Sequence, residues 1–265
     1  MRDPYAIYAR HVLKLDPLDP IDADPGGAER GQIIHAVLDE FVRACPPELP
    51  EDADALLLAI GRRHFARQAH RPQVGAIWWP RFERVAAWFL EVEKRRRAQV
   101  ERILTETRGG LQMPCPGGPF RIRARADRIE VGRDGALAIL DYKTGSLPAN
   151  SDVQRGLSPQ LLIEALIAQG GGFAGIPADS EVDSILYLHL KGGEAEPGKE
   201  HDPVGTADLR ALLAAARRGI QVLLAHFDDP ATAYVPVPRP EIAPVFSDYE
   251  HLSRLGEWWG AEADA

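Results

Sequence analysis

Hydrophobic residues recur at helical spacing through the first hundred positions of the chain. Apolar side chains three or four residues apart predict helices over residues 29–44, 52–69 and 79–102. Two prolines, Pro46 and Pro47, follow the first of these helices and are expected to end it. The pattern therefore predicts a mainly helical N-terminal part covering residues 1–102.

The spacing changes after residue 120, where apolar and polar residues alternate. Residues 121–131 predict one strand and residues 136–141 predict a second. The Asp-Gly pair at 134–135 between them is typical of a tight turn, because glycine accepts a positive φ. We therefore expect a β-hairpin that brings Asp127 and Asp141 close together.

The remaining segments complete an α/β pattern. They are a helix over 158–168, a strand over 184–190, a loop over 191–203, a helix over 206–227 and a proline-rich stretch over 236–244. With no internal repeat, the order predicts one domain over 1–265, with a mixed central sheet flanked by helices. Its core would lie at 103–230. A tail at 231–265 would pack back, with aromatic residues between Phe246 and Trp259 docking on the N-terminal helices.

Composition narrows the class of protein. The chain has 265 residues, 45% of them hydrophobic, which is enough for a real core. No stretch reaches the roughly 18 apolar residues of a membrane helix, and the N-terminus lacks the apolar core of a signal peptide. We therefore expect a cytoplasmic protein. Cys45 and Cys115 are expected to be reduced and buried, and two thiolates are too few for an iron–sulfur cluster.

The net charge and the motifs of the chain argue against two further classes of protein. The net charge of −8 argues against a protein that coats nucleic acid nonspecifically, since such binding depends on Lys and Arg neutralising phosphates. It leaves metal-assisted DNA chemistry open, because that chemistry gathers carboxylates around a cation. No Gly-x-x-x-x-Gly-Lys-Ser/Thr motif occurs, so we expect no ATP hydrolysis of the P-loop type.

An acid and a lysine stand together at the end of a predicted strand. Asp141 and Lys143 are two residues apart and project to the same face. A carboxylate that holds a divalent cation beside an ammonium that neutralises a phosphate suits metal-assisted hydrolysis, although a solvated ion pair is the ordinary alternative. Asp127 adds a second acid across the hairpin, but it could simply pair with Arg125 or Arg128.

His35 lies on the first predicted helix, among the apolar residues Ile34 and Leu38. A single helical histidine is usually structural or exposed, and only a set of partner residues turns it into a ligand. The residue by itself leaves both interpretations open.

Four motifs follow one another in the order of a known family. They are Arg30-Gly31-x-x-x-His35, Ala126-Asp127-Arg128-Ile129, Leu140-Asp141-Tyr142-Lys143-Thr144-Gly145 and Gln160. Together they resemble RecB-like nucleases of the PD-(D/E)XK superfamily. With the segment from Asp3-Pro4-Tyr5-Ala6 to Asp19-Pro20, the chain is most similar to the C-terminal nuclease region of AddB-type helicase–nuclease subunits. The resemblance spans about residues 3–260.

This resemblance implies a PD-(D/E)XK restriction-endonuclease-like core that cuts DNA, as an exonuclease on strand ends, in double-strand break repair and recombination. It implies that His35, Asp127, Asp141 and the backbone carbonyl of Tyr142 bind the metal, while Lys143 acts on water and phosphate. One imidazole among oxygen ligands suits magnesium, or manganese, better than zinc. The implied partners are DNA and a helicase–nuclease subunit of the AddA type.

The family pattern also includes a residue of the helix predicted over 158–168. Gln160 would position Lys143 or the DNA strand. The tyrosine that the family often carries four residues later is replaced here by Glu164. Its role is open, and an isolated helix glutamate is expected to be a solvated charge. The four cysteines around the iron–sulfur centre of some AddB-type nucleases are also missing, so packing must replace that centre.

Two basic segments are candidates for DNA contact. Arg121, Arg123 and Arg125 share a strand face with Asp127 and either track DNA or form a solvated surface. The run Lys94–Arg97 either contacts DNA or interacts with the dipole of its helix.

Two other functions remain as alternatives. The chain could be a catalytically silent DNA-binding or scaffold domain of a helicase–nuclease complex. A glycosidase with Asp127 and Asp141 as its carboxylate pair would leave Lys143 and His35 without a purpose.

Overall fold

The chain begins with helices and continues with strands and helices that together form an α/β region. The computed structural model describes residues 1–16, 26–45, 48–244 and 246–260. For residues 258–260 only the backbone is described. The α-helices are α1 (Pro4–Ile7), α2 (Gly26–Ala44), α3 (Ala53–Ala66), α4 (Trp79–Arg97), α5 (Asn150–Gln154), α6 (Gln160–Gln169), α7 (Leu209–Asp228), α8 (Glu250–Ser253) and α9 (Leu255–Gly260). The strands are β1 (Val100–Met113), β2 (Phe120–Gly132), β3 (Leu137–Lys143), β4 (Val182–His189) and β5 (Lys199–His201). Shorter π and 3₁₀ turns lie at Tyr8–Val12, Val74–Trp78 and Pro240–Ile242.

The five strands form one mixed sheet in the order β1-β2-β3-β4-β5. Strands β1, β2 and β3 are antiparallel neighbours, β4 runs parallel to β3, and β5 pairs antiparallel at the far edge. The parallel pair needs a crossover, which α5 and α6 supply. The predicted mixed sheet with flanking helices and a helical N-terminal region is therefore confirmed.

Two strands escaped prediction for different reasons. The helix predicted over 79–102 ends at Arg97, and β1 begins at Val100. Most of β1 is neither fully buried nor fully exposed, so its sequence shows no alternation of apolar and polar residues. The loop predicted over 191–203 contains β5, whose three residues pair only because β4 offers a free edge.

The helices α2, α3 and α4 pack together and against the sheet. Their buried aromatic residues Phe41, Phe82 and Phe89 share a cluster with Leu140 and Tyr142 of β3. Helix α6 contacts strands β1 to β4 through its own apolar face. The end of β3 is therefore held between packed helices, which fixes the residues that follow Leu140.

A buried ionic cluster joins α4 to β2. The Arg128 side chain is fully buried and pairs with Glu93 and Glu130. The basic run at the end of α4 is also paired with acids, and its pairs are Lys94–Glu91, Arg95–Glu200, Arg96–Glu130 and Arg97–Glu93. In the structure, ion pairs therefore account for the run that was a candidate for DNA contact.

The structure divides into two units. The larger comprises residues 24–114 and 119–219 and contains the sheet; the smaller comprises the remaining segments. Inside the smaller unit, Ser247 Oγ lies 3.1 Å from Asp3 Oδ2, and the Tyr249 hydroxyl donates to the Leu15 carbonyl at 2.6 Å. The single-domain organisation stays a prediction.

One expectation concerns the burial of the two cysteines. Cys45 is buried, but Cys115 is only partly buried, so its predicted burial is wrong. Cys115 precedes the turn between β1 and β2, where side chains reach solvent.

Some predictions fall on residues that lie outside the described part of the chain. They concern Asp19-Pro20, Pro46-Pro47 and the side chains of Trp258 and Trp259. Among the described helices, none combines the length and apolar character needed to cross a bilayer.

Candidate active site

The end of β3 carries an acid and a lysine in direct contact. Lys143 Nζ lies 2.8 Å from Asp141 Oδ2, and the Asp141 side chain is almost fully buried. The lysine keeps part of its surface in solvent. The pair is therefore no solvated surface ion pair, since its acid is buried in the protein.

The hairpin brings Asp127 to Asp141 as predicted. The ladder pairs Arg128 with Leu140, so Asp127 and Asp141 follow at the next facing position. The backbone N–H of Tyr142 donates to Asp127 Oδ2 at 3.0 Å, which fixes the carboxylate at the end of β3. Arg125 pairs with Glu106 and Arg128 with Glu93, so neither arginine is occupied by Asp127.

Helix α2 delivers His35 to the same point. A Cβ atom on Gly31 would lie 2.7 Å from Thr144 Oγ1, so the absence of a side chain permits this close approach of α2 to the end of β3. One helical turn later, His35 Nδ1 lies 3.5 Å from Asp127 Oδ2. The ring also meets the Tyr142 ring edge-on at 5.7 Å.

Glu106 is a further acid of the site that sequence reasoning missed. It lies on β1 between the ladder pairs Thr105–Arg128 and Thr107–Ala126, which places it across from Asp127. Ligand atoms of His35, Glu106 and Asp127 all lie within 4.8 Å of one another. Glu106 can be identified from its register with Asp127. That register can be read only after β1 is recognised as a strand and paired with β2.

The backbone at Glu106 is strained. Its φ is 48°, a left-handed value that a residue with a Cβ adopts at a cost of roughly 1–2 kcal/mol. Such strain persists only where surrounding structure imposes it, and it is enriched at functional sites. Here it coincides with the position at which the Glu106 carboxylate joins Asp127 and His35.

The electrostatics of the cluster favour a cation. Burial, reinforced by the neighbouring Asp141, raises the pKa of Asp127 to about 6. Burial also raises the pKa of Asp141, and burial followed by the charge of Asp127 raises the pKa of Glu106. Burial lowers the pKa of His35 and so favours the neutral imidazole that metals bind. A bound cation would relieve the repulsion among these carboxylates.

The donor set fits a divalent metal ion. It combines two carboxylates with one imidazole nitrogen, and a third carboxylate, Asp141, lies near enough to raise the pKa of Asp127. Burial lowers the pKa of His35 more than a hydrogen bond to the Tyr142 backbone raises it, so the net direction is downward. Oxygen-rich donors suit magnesium or manganese. A cleft of about 660 Å³ borders the cluster and gives a substrate access.

Gln160 and Glu164 stand behind the acid–lysine pair. Gln160 accepts a hydrogen bond from Lys143 Nζ at 3.1 Å and donates to Asp141 Oδ1. Glu164 is only 2% exposed, so the expectation of a solvated helix charge is wrong. It lies on the face of α6 that packs against the sheet, and burial raises its pKa to about 8.

Of the three strand arginines, one reaches the cleft. Arg125 borders it with His35 and Asp127 and pairs with Glu106, although 56% of its side chain stays exposed. Arg121 and Arg123 are exposed farther along β2. A DNA strand that followed β2 would therefore meet these cations before it met the acidic cluster.

Comparisons with known proteins agree with this fold. The family model described as the PD-(D/E)XK nuclease superfamily matches residues 2–239. An uncharacterized protein of Rickettsia bellii is 32% identical over 173 residues, which make up 65% of this chain and 21% of that protein. An uncharacterized protein of Rickettsia felis is 31% identical over 201 residues, or 74% of this chain and 23% of the relative.

The chain spans about a fifth of the length of these relatives. A solved structure titled "Crystal structure of SSO0001" aligns over 80% of this chain and 86% of its own at 16% identity, with a TM-score of 0.30. That score is too low to define a shared fold.

A mixed sheet flanked by helices, with two acids and a lysine near the end of β3, is consistent with a nuclease. Because the family model covers nearly the whole chain, the protein belongs to the PD-(D/E)XK nuclease superfamily.

Proposed function

We propose that this protein is a divalent-metal-dependent deoxyribonuclease that hydrolyses phosphodiester bonds as an exonuclease. The observation that carries the proposal is the meeting of Asp127, Asp141, Lys143 and His35, which three separate elements bring to one point. A purely structural role would not need three acids gathered beside a cleft, since neighbouring carboxylates repel one another.

Each side chain has a role that its surroundings support. His35, Glu106 and Asp127 hold the cation, and Asp141 together with the Tyr142 carbonyl completes the oxygen donors. Magnesium is the proposed ion, with manganese as a substitute. When bound, the ion would polarise a phosphate oxygen and lower the pKa of a water molecule.

Lys143 contributes the positive charge that hydrolysis of a phosphodiester requires. Its ammonium is held by Asp141 and Gln160 and remains partly exposed, so a phosphate can approach it. There it neutralises the charge that develops on the attacked phosphate or assists in removing a proton from the attacking water. Gln160 keeps the ammonium in place, and Arg121, Arg123 and Arg125 guide the DNA strand.

The cellular setting is proposed from the order of the motifs. They resemble the nuclease region of AddB-type subunits, which supports a role in DNA double-strand break repair beside an AddA-type helicase–nuclease subunit in the cytoplasm. The greater length of the relatives is compatible with a nuclease region that works inside a larger assembly.

The test is a nuclease assay on end-labelled single-stranded, linear double-stranded and closed circular DNA. Degradation of linear DNA is expected with magnesium or manganese and is lost in EDTA, while closed circles survive because an exonuclease needs an end. Lys143→Ala should lower the rate by about 10² to 10³. Lys191→Ala, which removes an exposed lysine paired with Glu196, is the matched control.

Two results would overturn the proposal. Cleavage by Lys143→Ala at the wild-type rate would remove the lysine from the reaction. Absence of any cleavage, combined with no magnesium or manganese binding by calorimetry, would favour the silent DNA-binding or scaffold domain.

A further inference from the structure

The side-chain amide of Gln160 makes three hydrogen bonds, one each with Lys143, Asp141 and Glu164. Its Oε1 accepts from Lys143 Nζ at 3.1 Å, and its Nε2 donates to Asp141 Oδ1. The same Nε2 also donates to Glu164 Oε1 at 3.3 Å. A single amide thus connects the acid and the lysine of the site to Glu164 on helix α6.

The chemistry of these groups allows one orientation of the amide. An ammonium can only donate hydrogen bonds, and a carboxylate accepts them. If the Gln160 amide turned over, its NH₂ group would face the ammonium and its oxygen would face Asp141 and Glu164. Each acceptor at Nε2 therefore adds to the free-energy difference between the two orientations.

Glu164 is placed to reinforce this orientation. It follows Gln160 by four residues on α6, so the two side chains are neighbours on one helix face. It is 98% buried, and its second oxygen, Oε2, has no hydrogen-bond partner among the described residues. A buried carboxyl with an orphaned oxygen costs stability, so a purely structural position would favour an apolar residue.

We propose that Glu164 is a positioning residue of the nuclease site, which acts through Gln160 to hold Asp141 and Lys143 in their relative geometry. The inference rests on the proposed function and deepens it. Glu164 itself touches neither of the two reacting side chains by any hydrogen bond described. Its effect on turnover passes through the Gln160 amide.

The experiment compares Glu164→Met with Glu164→Gln. Methionine has nearly the length of glutamate and suits a buried position, but it offers no strong acceptor to Gln160. Glutamine keeps a carbonyl oxygen for that contact. Glu164→Met is expected to lower kcat by about 10-fold to 100-fold, the usual effect of removing a supporting contact, with little change in KM for DNA. Glu164→Gln is expected to recover most of this loss.

A double-mutant cycle separates a pathway through Gln160 from an independent effect. If Glu164 acts through Gln160, the variant with both Gln160→Ala and Glu164→Met should be no slower than Gln160→Ala alone. The side-chain amide signals of Gln160 in NMR spectra, assigned with Gln160→Glu, provide a readout that needs neither DNA nor metal. Their exchange with water should speed up in Glu164→Met and remain slow in Glu164→Gln.

Additive losses in the cycle, or unchanged amide exchange in a folded Glu164→Met protein, would overturn the inference. If the wild type cleaves no DNA, the proposed function fails, but the amide exchange still decides whether Glu164 holds Gln160. If the wild type cleaves DNA and Glu164→Met matches its kcat, only the inference fails.

Discussion

Glu106 and Asp127 face each other across strands β1 and β2, and their carboxylates share one cluster with the His35 imidazole. The strand backbone is strained at Glu106, where φ is 48°. Two facing acids in a partly buried position repel each other, and after burial the charge of Asp127 is the next cause of the raised pKa of Glu106. The arrangement supports the proposed cation site.

Replacing Glu106 should therefore weaken metal binding. Glu106→Gln removes one charged donor, and we expect the affinity for manganese to fall at least about tenfold by calorimetric titration. Asp39→Asn is the matched control, because Asp39 borders the same cleft but pairs with Arg43. Equal manganese affinity in wild type and Glu106→Gln would exclude Glu106 as a ligand.

The buried cluster around Arg128 should matter for stability. Arg128→Met leaves Glu93 and Glu130 buried with one fewer cation, and removing one partner of a buried ion pair typically costs about 3–5 kcal/mol. Urea unfolding should show a loss of this order. Arg123→Met on the same strand is exposed and should change stability by less than about 0.5 kcal/mol. A similar small loss for Arg128→Met would contradict the prediction.

Glu164 should make the stability of the metal-free protein depend on pH. Its pKa rises from 4.5 to about 8 on folding, so the folded state binds the proton more tightly than the unfolded state. Its contribution to stability is present below about pH 4.5 and is lost as the pH rises towards 8. Relative to wild type, Glu164→Gln should gain stability over this range.

Thermal unfolding in EDTA at several pH values measures this effect. The exposed Glu194→Gln removes a similar charge at the surface and is the control. Parallel pH profiles for wild type and Glu164→Gln would show that the carboxyl of Glu164 does not hold its proton on folding.

The exposed arginines of β2 should act on DNA affinity. Each phosphate contact that is lost reduces the dependence of log K on log salt by about one unit or slightly less. Arg121→Ala and Arg123→Ala should therefore each weaken binding to single-stranded DNA and flatten its salt dependence, measured by fluorescence anisotropy in EDTA. Arg218→Ala, exposed on α7, should change neither. An unchanged slope in both β2 variants would assign that strand face to solvent.

The sequence by itself determined the elements whose signal is periodic and local. Helices α2, α3 and α4, the β2–β3 hairpin with its Asp-Gly turn and strand β4 all show their spacing in the printed chain. The motif order then predicted that Asp127, Asp141, Lys143 and His35 belong together, because each follows from a short run of neighbouring residues. In the structure His35 lies 3.5 Å from Asp127 and Lys143 lies 2.8 Å from Asp141, and the charges of Asp141 and Lys143 both act on the pKa of Asp127.

Only the tertiary structure decided what lies around that centre. Glu106 enters the cluster because β1 pairs with β2, although β1 shows no alternation that would identify it. Glu164 on α6 was expected to be a solvated charge, yet its side chain is buried, and Arg128 of β2 is buried against Glu93 of α4. Burial and ionic pairing depend on residues that are distant along the chain, so local periodicity carries no signal of them.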